Sequence, residues 1–166
     1  NGCAYYQWMC VLLPEIKPKQ IVELGGAMGV WDVCVLNYLP EGKLYSITLP
    51  EGGLEFSYVV DTYPNFVPVL GSDLDLSVWP KGLDLSQTDL WFFDSLHTEE
   101  QLRAELDLYK QFFKPGCIIL FDDIHLNEGM QNVWDDVVEG KYGKMDSFDG
   151  TDPLHWSGYG ICIYDV

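Results

Sequence analysis

The sequence predicts an α/β sandwich built on a mostly parallel, seven-stranded sheet whose last strand is antiparallel. Short apolar runs alternate with amphipathic stretches of helical length, as in sheets whose strands are joined by helical crossovers. Only the loop DGTDPLHWSG separates the final two strand-like runs, so that pair is predicted to be antiparallel. The 166 residues fit one domain, 1–166, which opens with an N-terminal helical segment at 1–18.

The first half of the chain contains three predicted helices and three predicted strands. Apolar side chains at helical spacing indicate the helices, and short apolar runs indicate the strands. Pro14 and Pro18 are expected to close the first helix, and Pro68 predicts that the third strand is irregular or at the edge. The helices are 4–13, 29–39 and 54–63, and the strands are 20–25, 43–49 and 65–71.

The second half continues the alternation. The run TDLWFFD at 88–94 is almost continuously apolar, as in strands that are covered on both faces. The clearest amphipathic helix, 97–113, is acidic at its start and carries an apolar stripe. That stripe consists of Leu102, Leu106, Tyr109 and Phe113. The remaining predicted elements are strands at 117–123, near 144–148 and at 159–166, and a helix at 127–142.

Composition excludes several classes of protein. Nine basic residues against 26 acidic ones give a formal charge of −17, and such a surface repels the phosphate backbone of a nucleic acid. Apolar runs are shorter than the roughly 18 residues that a membrane span needs, and there is no signal-peptide pattern, so a cytoplasmic protein is expected. The five cysteines are odd in number and form no CxxC pair, which favours reduced thiols in the core.

The stretch VELGGAMG at 22–29 predicts a glycine-rich turn between a strand and a helix. Its glycines, Gly25, Gly26 and Gly29, do not have the GxGxxG spacing of a dinucleotide site, and no Lys-Ser or Lys-Thr follows as in a phosphate-binding loop. A nicotinamide dehydrogenase is further disfavoured because the chain has no Tyr-x-x-x-Lys pair. A tight turn that binds nothing remains an alternative on this evidence alone.

Two motifs carry a family resemblance. Glu23, Gly25 and Gly29 form E-x-G-x-x-x-G, which resembles the first motif of class I S-adenosylmethionine-dependent methyltransferases. The block DLWFFDSLHTEEQLRAELDLYKQFFKPGCIILFDDIHLNEG resembles the small-molecule members in which one strand ends in D-x-x-H and the next emerges from K-P-G to end in paired acids. The resemblance implies a Rossmann-like three-layer sandwich that binds S-adenosylmethionine. The implied cofactor-binding residues are Glu23, Gly25, Gly26, Gly29, Glu51, Asp73 and Asp94.

Two positions depart from the family pattern. The acid that usually ends the second strand and holds the ribose is here Thr48, and Glu51 is its nearest substitute. Gly26 stands where the family often has threonine. Adenine is expected near Gly71-Ser72-Asp73, with Asp73 as the contacting side chain.

Four residues at two strand ends suggest the chemistry. Asp94, His97, Asp122 and Asp123 are expected to meet in one cleft, where like charges raise one another's pKa unless a cation intervenes. Mg²⁺ prefers such oxygen ligands, and the resembling metal-dependent O-methyltransferases imply that Asp94, Asp122 and Asp123 hold it. Catalysis is assigned to His97 and Asp94, with His97 removing a proton from the hydroxyl of a small-molecule acceptor.

Several alternatives stay open. Asp94 is also placed to cap the helix that starts near His97, and His97 itself could be purely structural. Alternation along a strand predicts that one member of the pair Asp122-Asp123 faces the cleft and the other caps the next segment. The competing functions are methyl transfer without a metal and a non-catalytic binding module. Because the N-terminal helix is short, a second subunit could complete the acceptor site.

Overall fold

The computed structural model describes residues 7–27, 29–51, 56–138, 142–146 and 157–165. Parts of several predicted elements lie outside these ranges. They are positions 4–6, 54–55, 139–141, 147–148 and 166, together with Cys3 and residues 155–156 of the loop before the last strand.

The described chain folds around a seven-stranded sheet in the order β3-β2-β1-β4-β5-β7-β6. Strands β1 to β5 pair in parallel, whereas β7 is antiparallel to both of its neighbours. The predicted fold class is therefore confirmed, and the strand that contains Pro68 lies at the edge of the sheet as expected. The strands are β1 (Gln20–Leu24), β2 (Lys43–Thr48), β3 (Phe66–Leu70), β4 (Leu90–Phe93), β5 (Ile118–Asp122), β6 (Tyr142–Asp146) and β7 (Tyr159–Tyr164).

Helices cover both faces of the sheet. Alternate residues of a strand point to opposite faces of the sheet. In β4, Leu90 and Phe92 therefore pack in one apolar cluster, and Trp91 and Phe93 pack in the other. The first cluster is completed by the first three helices and the second by the last two, which makes a three-layer sandwich. The helices are α1 (Gln7–Ile16), α2 (Val30–Leu36), α3 (Ser57–Thr62), α4 (Glu99–Tyr109) and α5 (Glu128–Val138).

The ends of some helices differ from the prediction. Helix α1 continues past Pro14 and ends at Ile16, because the missing N–H of proline removes only one hydrogen bond and the chain turns at Lys17, which has a φ of 47°. Helix α4 ends at Tyr109 and is followed by a 3₁₀ turn at Lys110–Phe112. Helix α2 is shorter than the predicted helix 29–39. It starts after Gly29, whose backbone is in the left-handed conformation.

Two negative expectations can be compared with the structure. None of the helices in the described ranges is long and apolar enough to cross a membrane. Among the described cysteines, Cys117 and Cys162 are buried in the core, Cys10 and Cys34 are partly exposed, and none of the four forms a disulfide.

Candidate functional site

A cavity of about 620 Å³ opens at the carboxyl ends of β1, β2, β3 and β4. Parallel sheets of this kind bind ligands at that edge, where the connections diverge. Four of the predicted cofactor-binding residues line it, namely Gly25, Gly26, Asp73 and Asp94. His97 and Gln101 reach it from the connection after β4 and from helix α4.

The turn has glycine at positions 25 and 26 because neighbouring protein atoms leave no space there for a Cβ atom. Gly25 has a φ of 98°, and a Cβ there would overlap the carbonyl of Asp94. A Cβ on Gly26 would overlap the hydroxyl of Ser46. The N–H groups of both glycines donate to the carbonyl of Ile47, at 3.0 and 2.9 Å. The turn is thus packed against β2 and β4, and only its outer backbone faces the cavity.

A buried acidic pair lies beneath this turn. Glu23 is only 2% exposed and accepts a hydrogen bond from the hydroxyl of Ser46, its partner in β2. Asp32, on the first turn of α2, is hydrogen-bonded to Glu23, and burial together with its charge raises the pKa of Glu23 well above the ordinary value. Burial also raises the pKa of Asp32, against hydrogen bonds with Glu23 and Ser46 that lower it. Sequence reasoning identified Glu23 but missed Asp32.

The four residues predicted for catalysis and metal binding do meet at the ends of β4 and β5. One ligand atom from each of Asp94, His97 and Asp122 lies within 4.8 Å of the other two. The imidazole Nε2 of His97 is 3.3 Å from Asp94 Oδ1, and its Nδ1 is 3.5 Å from Asp123 Oδ2. His97 therefore bridges two carboxylates that are 29 positions apart in the sequence.

Both members of the Asp122-Asp123 pair lie near His97, although strand alternation predicted that only one would. Asp122 is the last residue of β5 and is 6% exposed. Asp123 takes the left-handed conformation, with a φ of 55°, and this turn brings its carboxylate back toward the imidazole. The hydroxyl of Ser157, just before β7, donates to Asp123 and orients it.

The crowding of carboxyl groups changes the acidity of Asp94. Burial raises its pKa to about 7, a hydrogen bond with Asp122 lowers it, and the charge of Asp123 raises it again. The carboxyl of Asp94 is therefore protonated in part near neutral pH. A cation at this point could replace the proton, and three carboxylates with one imidazole are ligands that a hard divalent ion accepts.

A third acidic network, which sequence reasoning missed apart from Asp73, borders the other end of the cavity. The side-chain amide of Gln101 donates to Asp73 Oδ1 at 3.0 Å and to Glu105 Oε1 at 2.9 Å. Glu105 is fully buried, is hydrogen-bonded to Asp73 and accepts from the hydroxyl of Ser95. Burial and the bond to Asp73 raise the pKa of Glu105 to about 8. In the sequence, Glu105 is simply an acid within the predicted amphipathic helix, where an acid is ordinarily exposed.

Besides Glu23, two more predicted cofactor residues lie away from the lining. Gly29 caps α2 in the left-handed conformation, and a Cβ there would approach Val59 to 2.8 Å. Glu51 is exposed on the turn after β2, where Thr48 and Leu49 line the cavity instead.

The helix after β4 is capped by Thr98 and not by Asp94. The hydroxyl of Thr98 accepts a hydrogen bond from the N–H of Gln101 at 3.3 Å. Asp94 is thereby free for the cluster with His97, and the alternative that it serves only as a cap is wrong.

Comparisons with known proteins bear on the family and the fold of the chain. A family model described as a methyltransferase domain matches residues 22–124. No curated protein sequence matches significantly. The structure is similar to that of the O-methyltransferase TomG from Streptomyces achromogenes in complex with SAM, with a TM-score of 0.76, 13% identity and coverage of 100% of this chain and 82% of TomG.

Two further structures show the same fold. Cofactor-bound Rv0187 from MTB has a TM-score of 0.75 and 15% identity, covering 99% of this chain and 81% of that one. A methyltransferase from Geobacter sulfurreducens has a TM-score of 0.75 and 9% identity, covering 99% of this chain and 80% of the other. Because the family model spans more than half of the sequence, the chain belongs to the methyltransferase-domain family, as a class I S-adenosylmethionine-dependent methyltransferase.

Proposed function

We propose that this enzyme transfers the methyl group of S-adenosylmethionine to a hydroxyl oxygen of a small molecule, with a divalent cation, Mg²⁺ by preference, at the acidic cluster. The observation that carries the proposal is the meeting of Asp94, His97 and Asp122 at one end of the cavity that the glycine turn borders. The proposal takes residues 1–166 as one catalytic domain.

The cofactor is proposed to lie along the cavity from the glycine turn to Asp73. Its amino acid part lies on the outer backbone of Gly25 and Gly26, above the buried pair Glu23–Asp32, whose charged form an ammonium group would stabilise. Asp73, held by Gln101, is placed to accept from an adenine amino group. Glu51 is the acid proposed to reach the ribose from the turn after β2.

The cation is proposed to be held by Asp94, Asp122 and Asp123. The raised pKa of Asp94 supports the fit, because burial beside the charge of Asp123 disfavours the ionised carboxylate unless a cation is present. When bound, a divalent ion lowers the pKa of an acceptor hydroxyl and orients it. His97 Nδ1 lies 3.5 Å from Asp123 Oδ2, so the same carboxylate is placed to orient the imidazole.

His97 is proposed to be the general base. It lines the cavity beside Asp94 and removes the hydroxyl proton as the acceptor oxygen attacks the methyl carbon. The methyl–sulfur bond breaks, and S-adenosylhomocysteine leaves as the neutral sulfide. The neighbouring carboxylates stabilise the imidazolium that forms, as a paired acid does in other acid–base sites.

Calorimetric titration tests the cofactor and the cation separately. We expect S-adenosylmethionine and S-adenosylhomocysteine to bind in the micromolar range, and Mn²⁺, used as a probe for Mg²⁺, to bind without cofactor.

Asp122→Asn should lose Mn²⁺ binding yet retain S-adenosylhomocysteine, while Glu41→Gln, at the opposite end of the sheet, should change neither. His97→Gln should bind both and lose roughly 10²–10⁴-fold in methyl transfer to a catechol. If the protein binds neither S-adenosylmethionine nor S-adenosylhomocysteine, the proposed function is refuted. If Asp122→Asn leaves Mn²⁺ binding unchanged, the proposed cation site is refuted.

A further inference from the structure

Charge is strongly partitioned between the two ends of the sheet. Of the nine basic residues, Lys17 and Lys19 precede β1, Lys43 opens β2 and Lys114 precedes β5, all at the amino ends of the strands. Ion pairs Lys19–Glu41 and Lys114–Asp89 lie at the same end. The positive charge of these side chains is therefore remote from the cavity.

The turns directly after the five parallel strands are acidic. The segments that follow the five parallel strands, 25–29, 49–51, 71–75, 94–98 and 123–127, contain no lysine or arginine. Their acids are Glu51, Asp73, Asp75, Asp94 and Asp123. Likewise, the described residues that line the cavity include no lysine or arginine. A cleft lined by one sign of charge raises the local concentration of ligands of the opposite sign.

Apolar surface lies beside these carboxylates. Leu96, between Asp94 and His97, is 66% exposed and lines the cavity, and Leu49 is 59% exposed on the facing connection after β2. Exposed leucines at a cavity mouth offer a surface for the apolar body of a ligand. A ligand that satisfies both features has a ring or alkyl body and carries a positive charge.

We infer that the acceptor is a cationic hydroxyl compound, such as a phenol or catechol with an aminoalkyl chain, and that anionic acceptors are rejected. This inference rests on the proposed function and names the acceptor class of the same site. S-adenosylmethionine and a divalent ion offset part of the negative charge, but the carboxylates of Asp73 and Asp75 remain. Two unit charges about 10 Å apart change affinity by roughly two- to fifteen-fold, and several such carboxylates act together here.

Three catechols of similar size and different charge test the inference. They are 3,4-dihydroxyphenethylamine, 4-ethylcatechol and 3,4-dihydroxyphenylacetate, used with S-adenosylmethionine and Mg²⁺. At low salt we expect kcat/KM to follow the order cation, neutral, anion, with about tenfold or more between the extremes. High salt should reduce the difference to about threefold or less, because it screens exposed charges.

A charge introduced beside the site provides the matched control. Leu96→Lys should shift the cation-to-anion ratio of kcat/KM toward the anion by about tenfold, whereas Val11→Lys, on an equally exposed residue of α1, should leave the ratio unchanged. Three results would overturn the inference but not the proposed function. They are equal kcat/KM values, preference for the anion, and no methylation of any of the three catechols by an enzyme that binds S-adenosylmethionine. Failure to bind the cofactor would overturn the proposed function, and the inference with it.

Discussion

Gly25 meets two structural requirements at once. Its φ of 98° lies in the left-handed region that L side chains rarely adopt, and its α-hydrogens face the carbonyl of Asp94. The first requirement is common in turns. The second ties the glycine motif to the end of β4, so the turn that borders the cavity also fixes the position of Asp94.

Gly25→Ala is expected to destabilise the enzyme more than Gly82→Ala. Gly82 has the same φ of 98° but no atom within 4 Å of an added Cβ, so alanine there costs only the backbone strain, about 1–2 kcal/mol. At Gly25 the overlap with Asp94 adds about 1–3 kcal/mol. Urea unfolding measures both free energies. Equal losses for the two variants would show that the close approach of Asp94 is not a constraint.

At the scale of elements, α4 is joined to the connection after β3 by a polar network. Gln101 and Glu105 reach Asp73, while the hydroxyl of Tyr109 donates to the backbone carbonyl of Asp73 at 2.6 Å. Trp79 donates to the same hydroxyl at 3.0 Å. The helix that begins at Thr98 beside His97 therefore also positions the far wall of the cavity.

The network makes stability depend on pH. The pKa of Glu105 is about 8 in the folded enzyme against 4.5 for an ordinary glutamate, so between these values the folded state binds more protons. The stability that the protonated Glu105 contributes is fully present below about pH 4.5 and is lost as pH rises to about 8. The free energy of unfolding falls by at most about 1.4 kcal/mol per pH unit in this range. Thermal or urea unfolding from pH 5 to 8.5 measures it.

Glu105→Gln should remove that part of the slope, because glutamine resembles the protonated carboxyl and can still donate to Asp73. The exposed Glu100 of the same helix supplies the control, and Glu100→Gln should leave the slope unchanged. If wild type and Glu105→Gln lose stability in parallel as pH rises, Glu105 is not the group that holds the proton.

At the scale of the whole molecule, the sheet and the parallel direction of most of its strands follow from patterns that the sequence displays. Continuous apolar runs such as 88–94 predicted buried parallel strands, and Pro68 predicted an edge. Asp32 and Glu105 were not predictable in this way, because each lies within a helix at a position where an acid normally faces solvent, and only packing shows that it is buried. Likewise, the left-handed turn at Asp123 is set by contacts with Ser157 and His97, which are remote in sequence.

The excess of carboxylates also affects global stability. A formal charge of −17 destabilises the compact state through repulsion, and salt relieves part of it by screening. A specific cation site adds a second contribution, because an ion that binds only the folded state stabilises it by mass action. The two contributions can be separated by comparing MgCl₂ with NaCl at equal ionic strength.

We expect MgCl₂ to raise the Tm beyond the matched NaCl buffer. At a free Mg²⁺ concentration about tenfold above its Kd the stabilisation is about 1.4 kcal/mol, which corresponds to roughly 3–6 °C for a domain of this size. Asp122→Asn should keep the response to NaCl and lose the excess produced by Mg²⁺, since the general repulsion remains while the cluster with Asp94 and His97 is broken. If wild type responds equally to the two salts, the carboxylates at this edge act only as part of the general negative charge, and catalysis must then depend on His97 without a metal.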